Sequence, residues 1–190
     1  MKICIYGAGA VGGLMGARLA HAGHEVSMVA RGPHLDAMRE NGLVLHSRGE
    51  EFRVTPNCSD DPADLGPQDY VILTMKAQTL PAAAGGIASL LGKETAVLTI
   101  QNGLPWWYFQ GVEGDYKDRR LLSVDPKGLA GDAIPAGRII GGVIAAAVVR
   151  AVASFLVAGP TLAGARDLVR TGISRLMEAL ELGARNAVAV

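Results

Sequence analysis

The chain has no excess charge of either sign: 18 Lys and Arg balance 18 Asp and Glu. It therefore lacks the electrostatic footprint of a protein that binds nucleic acid or an anionic membrane surface. Cysteine is scarce. Cys4 and Cys58 are lone thiols without CxxC spacing, which excludes a zinc knuckle and a disulfide framework. The four histidines, His21, His24, His34 and His46, show no metal-ligand pairing and read as solvated or helix-end residues, so no metal site is expected. Aromatic residues are only 5% of the chain. Disorder is excluded by 49% apolar against 19% charged residues. The apolar run after Met1-Lys2 stops at Gly7, too short for a signal-peptide core, and the cytoplasm is the expected compartment.

Long apolar runs are also few. Ile139 to Ala165 carries Arg150 as its single charge and reads on hydropathy like a membrane span. It is broken by glycines and a proline, and buried strands of an α/β sheet give the same near-continuous apolar pattern. Buried strands, and no membrane contact, are the expectation.

Glycine, in contrast, is abundant, with 25 in 190 residues, about twice the usual share of ~7%. Many tight strand-to-helix turns follow from this, hence an α/β domain. The pattern predicts strands at Lys2–Tyr6 and Glu25–Ala30, with an amphipathic helix over Ala10–Ala22 between them. A short helix over Pro33–Glu40 follows. Leu43–Ser47 and Phe52–Pro56 read as a hairpin around Arg48-Gly49-Glu50, with a polar loop after it. Tyr70–Lys76, Thr95–Ile100 and Arg138–Ile144 read as strands and Thr79–Leu91 as a helix. Val148–Ala158 gives one or two more strands, Arg166–Leu182 a helix and Ala184–Val190 an extended run. The fold class is a Rossmann-type, doubly wound, mostly parallel sheet. Residues 1–165 make up the nucleotide-binding domain and 166–190 its last helix and strand.

The chemistry-bearing signal is Gly7-Ala8-Gly9-Ala10-Val11-Gly12. A GxGxxG pattern is weak alone, but this one follows a strand and opens a helix, the context in which it binds a dinucleotide. Gly7 permits the turn, Gly9 lets backbone approach a pyrophosphate, and Gly12 lets helix and strand pack closely. About 20 residues on, where an acid would bind a ribose 2′-hydroxyl, strand two ends Val29-Ala30-Arg31. A guanidinium there pairs with a 2′-phosphate, so NADP(H) is the expected cofactor. The nearest acid, Asp36, lies inside the next helix. Lys76 and Asn102 close two later strands, and all these residues share the carboxyl edge of the sheet, where ligands bind.

The GAGAVG opening, Arg31, the Lys76-Ala77 pair and Gln101-Asn102-Gly103 together resemble the ketopantoate reductase (2-dehydropantoate 2-reductase) family. The run Gln101 to Phe109 is similar to one subgroup of it. The resemblance covers residues 1–160 well and 161–190 in outline. It implies NADPH-dependent reduction of a small 2-keto acid, 2-dehydropantoate to pantoate, on the way to pantothenate and coenzyme A. It also implies cofactor contacts from Gly7 to Gly12, Arg31, Lys76, Asn102 and Ala147.

Members of the family carry a second, helical domain with the catalytic lysine, and the chain stops where that domain is expected to begin. The lysines are Lys2, Lys76, Lys93, Lys117 and Lys127, none of which matches it, so the catalytic residue is left unknown. The alternative reading is a truncated, non-catalytic NADP-binding module. Trp106, Trp107, Tyr108 and Phe109 read as an apolar patch covered by the absent domain or by a homodimer partner, because adjacent residues cannot all face one core. Ser123-Val124-Asp125 lacks a partner histidine for nucleophilic catalysis.

Overall fold

The computed structural model describes residues 1–47, 50–145 and 154–157. Its centre is a seven-stranded sheet of β1 (Lys2–Tyr6), β2 (Glu25–Val29), β5 (Asn57–Ser59), β6 (Gln68–Leu73), β7 (Leu91–Thr99), β8 (Ile139–Ala145) and β9 (Ser154–Val157). Their order across the sheet is β5-β2-β1-β6-β7-β8-β9. All neighbours pair in parallel except β8 and β9, which are antiparallel. A separate antiparallel hairpin, β3 (Leu43–Ser47) with β4 (Glu50–Val54), is inserted before β5. The helices are α1 (Ala10–His21), α2 (Gly32–Asn41), α3 (Leu80–Ser89) and the short α4 (Leu129–Ala133). The strand order reverses between β1 and β6, the switch point at which doubly wound sheets open a crevice.

Strand alternation sorts the core into two layers. Ile3 and Ile5 of β1, Val26 and Met28 of β2, and Tyr70 and Ile72 of β6 pack with Met15 and Leu19 of α1 and Leu35 and Met38 of α2. The intervening Cys4, Val29, Val71 and Leu73 face the other way, onto Leu80 and Ile87 of α3 and Ala130 and Ile134 at α4. Both faces are covered, which is why these strands lack polar alternation.

Three expectations about the strands before β8 need correction, besides the expected end of β6 at Lys76. The polar loop expected after the hairpin contains β5, paired with β2 through Ser27↔Asn57, Met28↔Cys58 and Val29↔Ser59. Its Asn-Cys-Ser sequence has too little apolar pattern to announce a strand. Second, β4 starts and ends earlier than Phe52–Pro56 because Glu50 pairs with Ser47. Third, β7 begins at Leu91, before Thr95, and its pairing with β6 shifts register between Gln68 and Tyr70. Arg138 fills that irregularity, its guanidinium donating to the carbonyls of Gly92 (2.8 Å), Lys93 (3.0 Å) and Thr95 (3.1 Å).

The apolar run from Ile139 supplies β8 and β9. No helix among the described residues is long and apolar enough to cross a membrane. The expected helix Arg166–Leu182 and final run Ala184–Val190 lie outside the described residues.

Candidate functional site

The loop Gly7–Gly9 leaves the central strand β1 at its carboxyl end and enters α1. Gly7 has φ +109°, and a Cβ there would come within 2.9 Å of the Met75 backbone nitrogen, so glycine is required twice over. Its carbonyl is held by the Thr74 hydroxyl, which donates to it over 2.5 Å. A Cβ on Gly12 would lie 2.0 Å from that same Gly7 oxygen and 3.0 Å from Ile5. Helix, loop and strand are thus packed as closely as backbone allows.

Gly9 is different. It caps α1 with ordinary extended dihedrals, gives the helix no side-chain acceptor, and has nothing within 4 Å of where its Cβ would stand. Gly9 and Ala10 are exposed, so the positive end of the helix dipole opens to solvent here. That combination accepts an anion such as a diphosphate, and a side chain on Gly9 would fill the cradle. Of the other loop residues, Ala8 is buried, Ala10 exposed and Val11 half-buried.

Arg31 follows the end of β2 as the residue preceding α2, exposed and with extended backbone. Its positive charge opposes, in small part, the burial that pushes the Tyr6 phenol up. Asp36 is exposed within α2. At the start of the same helix His34, read as a solvated or helix-end residue, is exposed in the first turn, and its Nε2 also lies 2.6 Å from the Ala8 carbonyl oxygen.

Lys76 does not close a strand. The β6 ladder ends at Leu73, and Thr74 turns inward to bond the Tyr6 and Gly7 carbonyls, leaving Lys76 exposed ahead of a 3-10 turn over Ala77–Thr79. Asn102 is exposed beyond β7, and its neighbour Gln101 donates to the Met75 carbonyl over 2.9 Å. This bond ties the two loops together. A cavity of about 320 Å³ opens beside them, lined by Ala77, Leu80, Asn102, Trp106, Trp107, Tyr108 and Val124 among others. Ala147 lies outside the described residues.

The aromatic run is not a single apolar patch. Tight turns (Tyr108 N–H to the Pro105 carbonyl, Gln110 N–H to that of Trp107) curl it, so successive residues point different ways. Trp106 is 5% exposed and packs among Leu80, Ala130 and Ile134, whereas Tyr108 is 51% exposed. Phe109 stacks on Tyr116 with centroids 5.4 Å apart. Asp125 is buried and accepts the Gly131 amide at 3.0 Å, a structural cap for α4.

The chain's relatives agree with this geometry. The profile of the family described as ketopantoate reductase PanE/ApbA matches residues 3–106. The chain belongs to the ketopantoate reductase family. A 2-dehydropantoate 2-reductase from Mesorhizobium japonicum is 49% identical over 149 residues, covering 78% of this chain and 46% of that protein. One from Pyrococcus horikoshii is 33% identical over 104 residues, 55% of this chain and 34% of the relative. The chain thus spans half or less of these two ketopantoate reductases. Among solved structures, one from Ralstonia solanacearum MolK2 assigned to the ketopantoate reductases superposes with a TM-score of 0.76 at 38% identity, over 88% of this chain and 56% of that one. D-mandelate dehydrogenase, solved with NADH, shares the fold at 24% identity and a TM-score of 0.69.

Sequence reasoning missed Thr74, His34 and Gln101, which hold the site loops without being expected to face a ligand. Thr74 left a trace as a lone hydroxyl inside the apolar run YVILTMK, and Gln101 stands in the Gln101-Asn102-Gly103 motif without its side chain being assigned a role.

Proposed function

We propose that the chain is the cofactor-binding part of an NADPH-dependent reductase of a small 2-keto acid, 2-dehydropantoate foremost. The observation that carries this reading is the open cradle over Gly9, at the sheet edge that also carries Arg31, Lys76 and Asn102. Backbone amides of Gly9, Ala10, Val11 and Gly12 hold the diphosphate, with Gly7 and Ala8 setting the turn. Arg31 selects NADP(H) by pairing with the 2′-phosphate. Lys76 and Asn102 flank the nicotinamide end, and the neighbouring cavity seats the ring and the acid. NADPH, when bound, supplies the hydride that reduces the ketone. The apolar walls from Leu80, Trp106 and Val124 exclude water from that end.

In this reading residues 1–165 form the NADP-binding domain and 166–190 complete it, and the protein works in the cytoplasm. Exposed Tyr108, Tyr116, Leu122 and Leu129 favour self-association as a homodimer; sedimentation as a strict monomer at micromolar concentration overturns that part.

Calorimetric titration with NADPH and NADH, beside an NADPH-oxidation assay with 2-dehydropantoate, tests the whole. The expected result is tighter binding of NADPH, with Arg31→Ala weakening it roughly ten- to a hundredfold, as loss of a charge-assisted hydrogen bond implies, and leaving NADH almost unaffected. Equal affinity for both cofactors in the unaltered chain overturns the role of Arg31. Binding without turnover supports a non-catalytic module.

A further inference from the structure

We propose that His34 is a positioning residue that sets the direction of the Gly9 amide and so couples the start of α2 to the glycine loop. The inference rests on the cofactor reading above but concerns a residue that reading does not use.

The observation is the contact of 2.6 Å between His34 Nε2 and the Ala8 carbonyl oxygen, across 26 residues of sequence. A carbonyl only accepts, so Nε2 carries the hydrogen and donates it, which fixes the ring's orientation. The bond joins the turn Gly7-Ala8-Gly9 to the turn Arg31-Gly32-Pro33 that brings the chain from β2 into α2, extending by one side-chain contact the tie that the Gly7 N–H makes to the Val29 carbonyl at 3.2 Å.

The consequence follows from peptide planarity. No peptide bond among the described residues is cis. Across the trans Ala8–Gly9 peptide the carbonyl and the Gly9 N–H therefore point in opposite directions. Pulling the carbonyl toward His34 sends the N–H away from α2. Gly9 itself has no side chain to restrain this peptide, with nothing within 4 Å of its Cβ position. The His34 bond adds a restraint at the carbonyl end. A dinucleotide then finds the Gly9 donor already aimed and does not have to order it on binding.

The signature separates this role from direct recognition of a 2′-phosphate. Arg31 distinguishes the two cofactors. A residue that orders the diphosphate loop must affect both equally. His34→Phe, which keeps a ring and removes the donor, is expected to weaken NADPH and NADH by the same factor, about three- to tenfold, as for one hydrogen bond. His34→Gln, which retains a side-chain N–H of similar reach, recovers most of the loss. In the cofactor-free chain His34→Phe also lowers the NMR order parameters of the Gly9 and Ala10 amides while leaving those of β1 and β2 unchanged.

Three outcomes overturn the proposal. Loss confined to NADPH makes His34 a phosphate contact instead. Unchanged affinity and unchanged loop order parameters mean that the bond orders nothing. Failure of His34→Gln to restore binding shows that ring packing, not the donor, is what matters. Failure of the unaltered chain to bind either dinucleotide is a separate result that overturns the cofactor reading itself; lower loop order parameters in His34→Phe then still support the positioning of Gly9.

Discussion

The Thr74 hydroxyl and the Gly7 carbonyl oxygen meet at 2.5 Å, so the first glycine of the loop is clamped from the strand beside it. The same oxygen faces Gly12, where a Cβ would come within 2.0 Å. One carbonyl thus sits between a side chain chosen for its hydroxyl and a residue chosen for having no side chain. Thr74→Val keeps the shape and removes the donor. The expected cost is about 1 kcal/mol of stability, read by chemical denaturation, together with severalfold weaker dinucleotide binding. A variant with unchanged affinity would show that the loop holds its shape without this clamp.

The glycines of the motif should separate cleanly on substitution. Gly9→Val meets no neighbour and needs no unusual backbone, since Gly9 has φ −70°. It should fold like the parent and lose dinucleotide binding, because its side chain fills the space the diphosphate needs. Gly12→Val instead drives a branched side chain into the Gly7 carbonyl, Thr74 and Ile5. A cost of about 1–3 kcal/mol or more is expected from such overpacking. Thermal melts and NADPH titration of both variants check this. A destabilised Gly9→Val or a stable Gly12→Val contradicts the geometry.

The central elements were legible because their residues repeat a pattern at the period of the element. Ile3, Ile5, Val71 and Leu73 announce strands buried on both faces, and Met15 and Leu19 mark the inner side of α1. The glycine loop was legible because its spacing and its place between strand and helix occur together. What stayed hidden depends on tertiary placement. β5 is recruited by pairing with β2 rather than by its own Asn-Cys-Ser sequence. Trp106 enters the core because the chain curls after Pro105, which a rule about adjacent residues on a straight chain does not foresee. Lys76 was placed on a strand because its neighbours are apolar, but the ladder ends where Thr74 turns to Gly7. His34 carries no signal, since a histidine in the first turn of a helix is ordinarily solvated.

Arg138 closes the irregularity in β7 through three carbonyls of the Gly92–Thr95 segment. A planar guanidinium can serve all three at once, whereas an ammonium cannot match their spread. Arg138→Ala should destabilise the chain by about 2 kcal/mol, with charge-assisted bonds lost and carbonyls left to solvent. Arg138→Lys should recover less than half of this. Denaturation midpoints of the two variants decide it. Equal stability of the lysine variant and the parent would mean that charge alone, not the fork, holds the segment.

Alkaline stability should be limited from within the central strand. Cys4 is fully buried in β1, and burial pushes its thiol from 9.0 up to about 12. The unfolded chain then gives up this proton more readily than the folded one, so rising pH favours unfolding. The contribution of Cys4 is whole below pH 9 and is lost progressively as the pH climbs toward 12. Tyr6, whose phenol burial also raises, adds to the loss in the same direction. Cys4→Ala removes the thiol and creates a small cavity, so it should be less stable at neutral pH yet show a shallower decline above pH 9. Denaturant midpoints between pH 7 and 11 measure both effects. Because the thiolate is the reactive form, Cys4 should also resist a thiol reagent in the folded protein and react once denaturant is added. An unchanged alkaline slope in Cys4→Ala, or rapid labelling of Cys4 in the native state, would show that the strand opens far more readily than its packing implies.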